Sequence, residues 1–67
     1  MTPKEQRFIK KAEELGYEVD TTYSGRGMFG RTCPSVTIEN PYDFIAEMGM
    51  TGLKIDNMGL DYVVYTG

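Results

Sequence analysis

The residues of this chain that are best suited to bind a ligand lie in one glycine-rich stretch. Gly25, Gly27 and Gly30 have the spacing G-x-G-x-x-G, which in dinucleotide enzymes holds a pyrophosphate against the N-terminus of a helix. Glycine permits positive φ and close backbone approach, so successive N–H groups can surround an anion. Arg26 and Arg31 lie within and just after this spacing, and a guanidinium binds phosphate or carboxylate through two parallel hydrogen bonds.

The residues that follow Gly30 exclude the dinucleotide interpretation. The sequence R-T-C-P-S-V-T-I is rich in β-branched residues and contains a proline, which favours extended chain where the fingerprint needs a helix. Protein kinases also cover ATP with a glycine-rich hairpin, but the motifs V-A-I-K, H-R-D and D-F-G are all absent. The stretch is therefore predicted to be the loop of a β-hairpin.

Three interpretations of this loop, residues 24–33, remain open. It is a solvated tip with Met28 and Phe29 folded onto the core, a phosphate or nucleotide site, or a contact with a protein partner, since Arg, Met and Phe are enriched at interface centres. We expect a non-enzymatic binding module that contacts a protein partner, with a phosphate-containing small molecule as the alternative ligand. The candidate binding residues are Gly25, Arg26, Gly27, Met28, Phe29, Gly30 and Arg31.

No catalytic, metal or cofactor site is predicted. The chain has no histidine, and Cys33 is its single cysteine, so a disulfide, a Cys–His nucleophile and the usual zinc sites are excluded. We expect Cys33 to be a small buried residue, with a low-pKa thiol beside Arg31 as the alternative. The acidic residues are most simply a solvated face, because a catalytic carboxylate pair needs a cleft.

Charge and hydropathy narrow the range of partners. Ten acidic and seven basic residues give a net charge of -3, which disfavours nucleic acid. The stretch 23–35 contains two arginines and no acid, so it is the locally cationic segment.

No apolar run approaches the roughly 18 residues of a membrane span, and the start MTPKEQR lacks the apolar core of a signal peptide. A single cysteine fits a reducing compartment, and we expect a cytoplasmic protein.

The pattern of apolar residues predicts one α+β domain over residues 1–67. Helices are predicted over 3–15 and 41–48, because each starts with a capping side chain, a proline and an acid at the third helical position. Hairpins are predicted over 17–39 and 53–65. The order α-β-β-α-β-β favours a four-stranded, largely antiparallel sheet with both helices on one face.

Alternation along the strands predicts which side chains are buried. Tyr17 and Tyr23 share the inward parity with Tyr62, whereas Tyr42 and Tyr65 are expected to be exposed. Pro34 cannot donate to a ladder, so the second strand should begin after it or lie at an edge there. Val63 and Tyr65 fall on the otherwise polar sheet face, and for so short a chain this suggests a homo-oligomer.

The segment from Ser24 to Gly30, S-G-R-G-M-F-G, followed by Thr32-Cys33-Pro34, resembles a segment of small uncharacterised proteins encoded by bacteriophages and their bacterial hosts. The resemblance covers about ten to twelve residues and carries no established activity. It implies a phage or prophage accessory protein that binds a host component.

Overall fold

Six secondary-structure elements make up the residues that the computed structural model describes, 2–24 and 30–66. In chain order they are α1 (Pro3–Glu14), β1 (Asp20–Tyr23), β2 (Cys33–Ile38), α2 (Pro41–Met48), β3 (Lys54–Met58) and β4 (Asp61–Tyr65). The four strands form one sheet in the order β1-β2-β4-β3, and each neighbouring pair is antiparallel. The predicted α+β class and element order are confirmed.

The helices begin where their capping residues predict. The Thr2 hydroxyl accepts the Glu5 N–H at 3.2 Å, and the Glu5 carboxylate accepts the Thr2 N–H at 2.9 Å, so two otherwise unpaired donors are satisfied. At the start of α2 the Asn40 side-chain oxygen accepts the Asp43 N–H. Gly49, at φ 63°, ends α2 in the left-handed conformation that favours glycine.

Both helices cover the same face of the sheet. The Phe44 ring meets the Phe8 ring edge-on at 5.9 Å between centroids and the Tyr17 ring at 4.8 Å, which joins α2 to α1 and to the chain that leaves α1. Edge-to-face contacts of this kind add stability beyond the burial of area. The fully enclosed core of this face comprises Phe8, Ala12, Val36, Phe44, Met48 and Val64.

Strand β1 contains an irregular step. Asp20 lies opposite Ser35 and Tyr23 lies opposite Cys33, so three steps along β1 match two along β2, as in a β-bulge. The extra residue falls where β2 presents Pro34, which has no N–H to donate. The Asp20 carboxylate accepts both the Thr22 N–H, at 2.8 Å, and the Thr22 hydroxyl, at 2.6 Å, which gives the irregular backbone a local partner.

The irregular step overturns two burial predictions. Val19 packs against the helix-face core, but Tyr23 packs against Cys33, Val63 and Tyr65 on the opposite face, because the extra residue reverses the alternation between Asp20 and Tyr23. Tyr65 was predicted to be exposed and is instead 5% exposed, since Tyr23 lies against it. Tyr17 and Tyr42 follow the prediction, the former half-buried and the latter exposed.

Of the two alternatives predicted for Pro34, a strand that begins after it was wrong, whereas an edge position at Pro34 is confirmed. Strand β2 begins at Cys33, before the proline, and pairs with β1 on one side and β4 on the other. Because Ser35 lies opposite Tyr65, the last residue of β4, Pro34 lies one step beyond the end of that strand. On its other side it faces the irregular step of β1. Neither side offers a regular ladder position that needs the missing N–H.

Removing the Phe44 ring tests this account of the core. Phe44→Ala should lower the free energy of unfolding by about 3–5 kcal/mol, since the ring is fully buried and its loss leaves a cavity. Tyr42→Ala on the same helix is the matched control, because Tyr42 is 75% exposed and should change stability by less than about 0.5 kcal/mol. Urea denaturation measures both values. Equal effects of the two variants would contradict the assigned packing.

Candidate functional site

The predicted binding loop is described in part. Gly25, Arg26, Gly27, Met28 and Phe29 lie outside the described residues, so the predictions made for them stay predictions. Gly30 has a φ of 84°, a conformation that favours glycine. Arg31 follows it at the surface. The described part of the candidate site therefore consists of Gly30, Arg31 and the residues that surround them.

Arg31 lines an open pocket of about 260 Å³ where α1 begins. The pocket lies between the first turn of that helix and the segments at the start of β2 and the end of β4. Cys33 forms part of its wall but is only 3% exposed, which agrees with the prediction of a small buried residue. The lining residues are Thr2, Lys4, Glu5, Arg31, Thr32, Cys33 and Thr66.

The Glu5 carboxylate shares this pocket with two cationic side chains, Lys4 and Arg31. The hydrogen bonds with the Thr2 backbone and hydroxyl hold the pKa of Glu5 below its ordinary value, and the charge of Arg31 adds to that effect. Glu5 is therefore ionised at neutral pH, and it is held in place by the capping box. An anion that entered the pocket would meet this negative charge as well as Lys4 and Arg31.

Four cations of the described residues lie at the end of the sheet where β1 ends and β2 begins. The Lys4 ammonium donates to the Gly52 carbonyl at 3.1 Å, and Arg7 lines a shallow pocket with Lys4 and residues 49–52. Lys54 opens β3 opposite Tyr65. We call Lys4, Arg7, Arg31 and Lys54 the basic end; they are four of the seven basic residues of the chain.

The sheet face opposite the helices is covered by the chain's own aromatic side chains. The Tyr23 and Tyr65 rings lie 5.1 Å apart between centroids, and the Tyr23 hydroxyl donates to the Asp56 carboxylate on the far edge strand β3. Val63 and Tyr65 are 4% and 5% exposed. The homo-oligomer was predicted from the shortness of the chain and from Val63 and Tyr65 on the otherwise polar sheet face; their burial removes the second argument, and the oligomeric state stays a prediction.

Tyr23 acts as a neutral hydrogen-bond donor in this arrangement. Burial raises its pKa to about 12, and the hydrogen bond to Asp56 and the charge of that carboxylate act in the same direction. The phenol therefore keeps its proton across the physiological range and links the two edge strands.

Within residues 2–24 and 30–66, no group of three or more acidic or cysteine side chains could hold a metal ion.

Two features of this site were not predicted from the sequence. Lys4, Arg7 and Lys54 come from separate parts of the chain, and only the register of β3 and the packing of α1 bring them to Arg31. The contact from Tyr23 to Asp56 depends on the irregular step in β1. A local signal for that step was present, since Asp20-Thr21-Thr22 allows a side chain to bond the backbone two residues on.

Comparison with known proteins found no family model, no curated protein and no solved structure that matches this chain. Neither helix of the described part has the length and apolar character needed to cross a membrane.

The contact between Tyr23 and Asp56 predicts a measurable titration. In protein labelled with ¹³C at the tyrosine Cζ, Tyr23 should titrate near pH 12, and Asp56→Asn should lower that pKa because the carboxylate contribution is lost. Asp61→Asn on the adjacent strand is the control and should leave it unchanged. A Tyr23 that titrates near the ordinary tyrosine value of about 10 would contradict the contact.

The raised pKa of Tyr23 also predicts the direction in which the stability of the fold changes with pH. The folded pKa of Tyr23, about 12, exceeds the unfolded value of about 10. Between these values the unfolded chain releases its proton more readily, so the free energy of unfolding should fall as the pH rises above about 10. Tyr23→Phe should flatten this fall in denaturation curves recorded at increasing pH.

Proposed function

We propose that this chain is a non-enzymatic binding module that contacts a protein partner through the basic end and the loop 24–33 beside it. The observation that supports this is the gathering of Lys4, Arg7, Arg31 and Lys54 at one end of a chain whose net charge is -3. Arg7, Arg31 and Lys54 are exposed there and Lys4 is half-buried. The partner surface that complements this end is acidic.

An acidic protein surface fits the basic end better than a compact phosphate ligand. The cations come from the start of α1, the start of β3 and the segment before β2, so they are spread across the end of the sheet. Glu5 is ionised in the pocket between Lys4 and Arg31 and would repel a phosphate. Carboxylates distributed over a protein surface can pair with separate cations and avoid Glu5. The phosphate-binding alternative remains a second outcome of the tests below.

The proposed location is the cytoplasm. Cys33 is the single cysteine of the sequence, so no disulfide can form within it, and a lone cysteine fits a reducing compartment.

Site-specific cross-linking tests the proposed contact. A photoreactive amino acid at Thr32, at the basic end, should capture a defined protein from the cells that make this chain, whereas the same group at Ala46, on the exposed side of α2, should not. Arg31→Glu combined with Lys54→Glu should reduce the captured amount at least about tenfold, because two attractive charges become repulsive. Lys10→Glu combined with Lys11→Glu carries the same charge change on α1 and should retain capture.

Two results would contradict the proposal. Equal capture from Thr32 and Ala46 would show that the contact is not confined to the basic end. Equal loss in the two charge-reversed variants would show that net charge, and not position, governs the contact. Saturable chemical-shift changes at Arg31 and Thr32 on addition of inorganic phosphate or ATP, without a captured protein, would favour the alternative ligand.

A further inference from the structure

A second surface lies at the opposite end of the sheet. Ile38, the last residue of β2, pairs with Tyr62, and Met58 pairs with Asp61 across the turn between β3 and β4. Helix α2 starts at Pro41, three residues after Ile38, so its first turn and the β3–β4 turn lie at the same end. We call residues 39–43 and 58–61 the acidic end.

The acidic end carries most of the large apolar side chains that are exposed in the described part of the chain. Among the described residues, four such side chains are exposed, and three of them lie here: Tyr42 at 75%, Met58 at 60% and Leu60 at 95%. In the turn that presents Leu60, the Gly59 N–H donates to the Asn57 side chain at 2.9 Å, and Gly59 has a φ of 93°. Apolar groups held in place and open to water are suited to serve as contact anchors.

The charges at this end have one sign. Glu39 and Asp43 are exposed and Asp61 is half-buried. From Thr32 to Thr66 the chain contains one basic residue, Lys54, which lies at the far end of β3 from the turn. Glu39, Asp43 and Asp61 therefore share this end with the apolar side chains, and their own elements bring no cation to it.

We propose that the acidic end docks a basic amphipathic segment of a protein partner, whose apolar side chains cover Leu60 and Met58 and whose Lys or Arg residues pair with Glu39 and Asp61. Charge complementarity favours this occupant and disfavours a nucleic acid, whose phosphates would be repelled. The basic end of a second copy complements the charge, but its described residues include no exposed large apolar side chain to cover Leu60. The two ends would then bind partners of opposite charge.

A helical synthetic peptide of leucine and lysine is a suitable probe. Added to ¹⁵N-labelled protein, it should give saturable chemical-shift changes centred on Tyr42, Gly59 and Leu60. Met58→Ser combined with Leu60→Ser should weaken binding at least about tenfold, since anchor side chains dominate interface energies. Leu15→Ser is the control, because Leu15 is the fourth exposed large apolar residue of the described ranges, and it should leave the Kd within about twofold.

A second pair of variants separates docking from general electrostatic attraction. Glu39→Gln with Asp61→Asn should weaken binding, whereas Glu13→Gln with Glu14→Gln removes the same charge from the exposed side of α1 and should not. Unchanged melting temperatures show that each variant remains folded. Equal weakening by both pairs, shift changes centred on α1, or concentration-dependent shifts of Leu60 without peptide, which indicate a second copy, would each overturn the proposal.

Discussion

The arrangement of this small domain depends on one irregular step, the extra residue of β1 opposite Pro34. A regular β1 would direct Tyr23 to the same face as Val19, toward the helices. The extra residue turns Tyr23 to the other face, where its ring contacts Tyr65 and its hydroxyl reaches Asp56. One side chain thereby links the two edge strands and covers a face that neither helix reaches.

Covering both faces has a consequence for contacts with other molecules. Phe8, Phe44 and Val64 are enclosed on the helix side, and Val63 and Tyr65 are enclosed on the other. The accessible features that distinguish this surface lie at the two ends of the sheet, where charge is separated. Cations from α1, β3 and residue 31 lie at one end, and acidic residues share the other end with exposed apolar side chains. Separated charges orient a partner before contact and favour partners of opposite sign at each end.

Local chemistry explains what the sequence could predict. The starts of α1 and α2 were predictable because Thr2 and Asn40 cap backbone groups a few residues away. The face occupied by Tyr23 was missed, because alternation assumes a regular strand. Asp20 and Thr22 gave a local signal for an irregular step, but its position depends on pairing with Pro34, fourteen residues beyond Asp20. The basic end was predicted only at Arg31, since Lys4, Arg7 and Lys54 join it through packing and strand register.

The most direct test of the central claim is the set of short proton–proton distances from the Tyr23 ring, measured by ¹³C-edited NOE spectroscopy in solution. If the irregular step turns Tyr23 to the face opposite the helices, its ring protons should show cross-peaks to the Val63 methyl groups and the Tyr65 ring. Cross-peaks from Tyr23 to Val36 and Phe44, with none to Val63, would show a regularly alternating β1 and would contradict the claim.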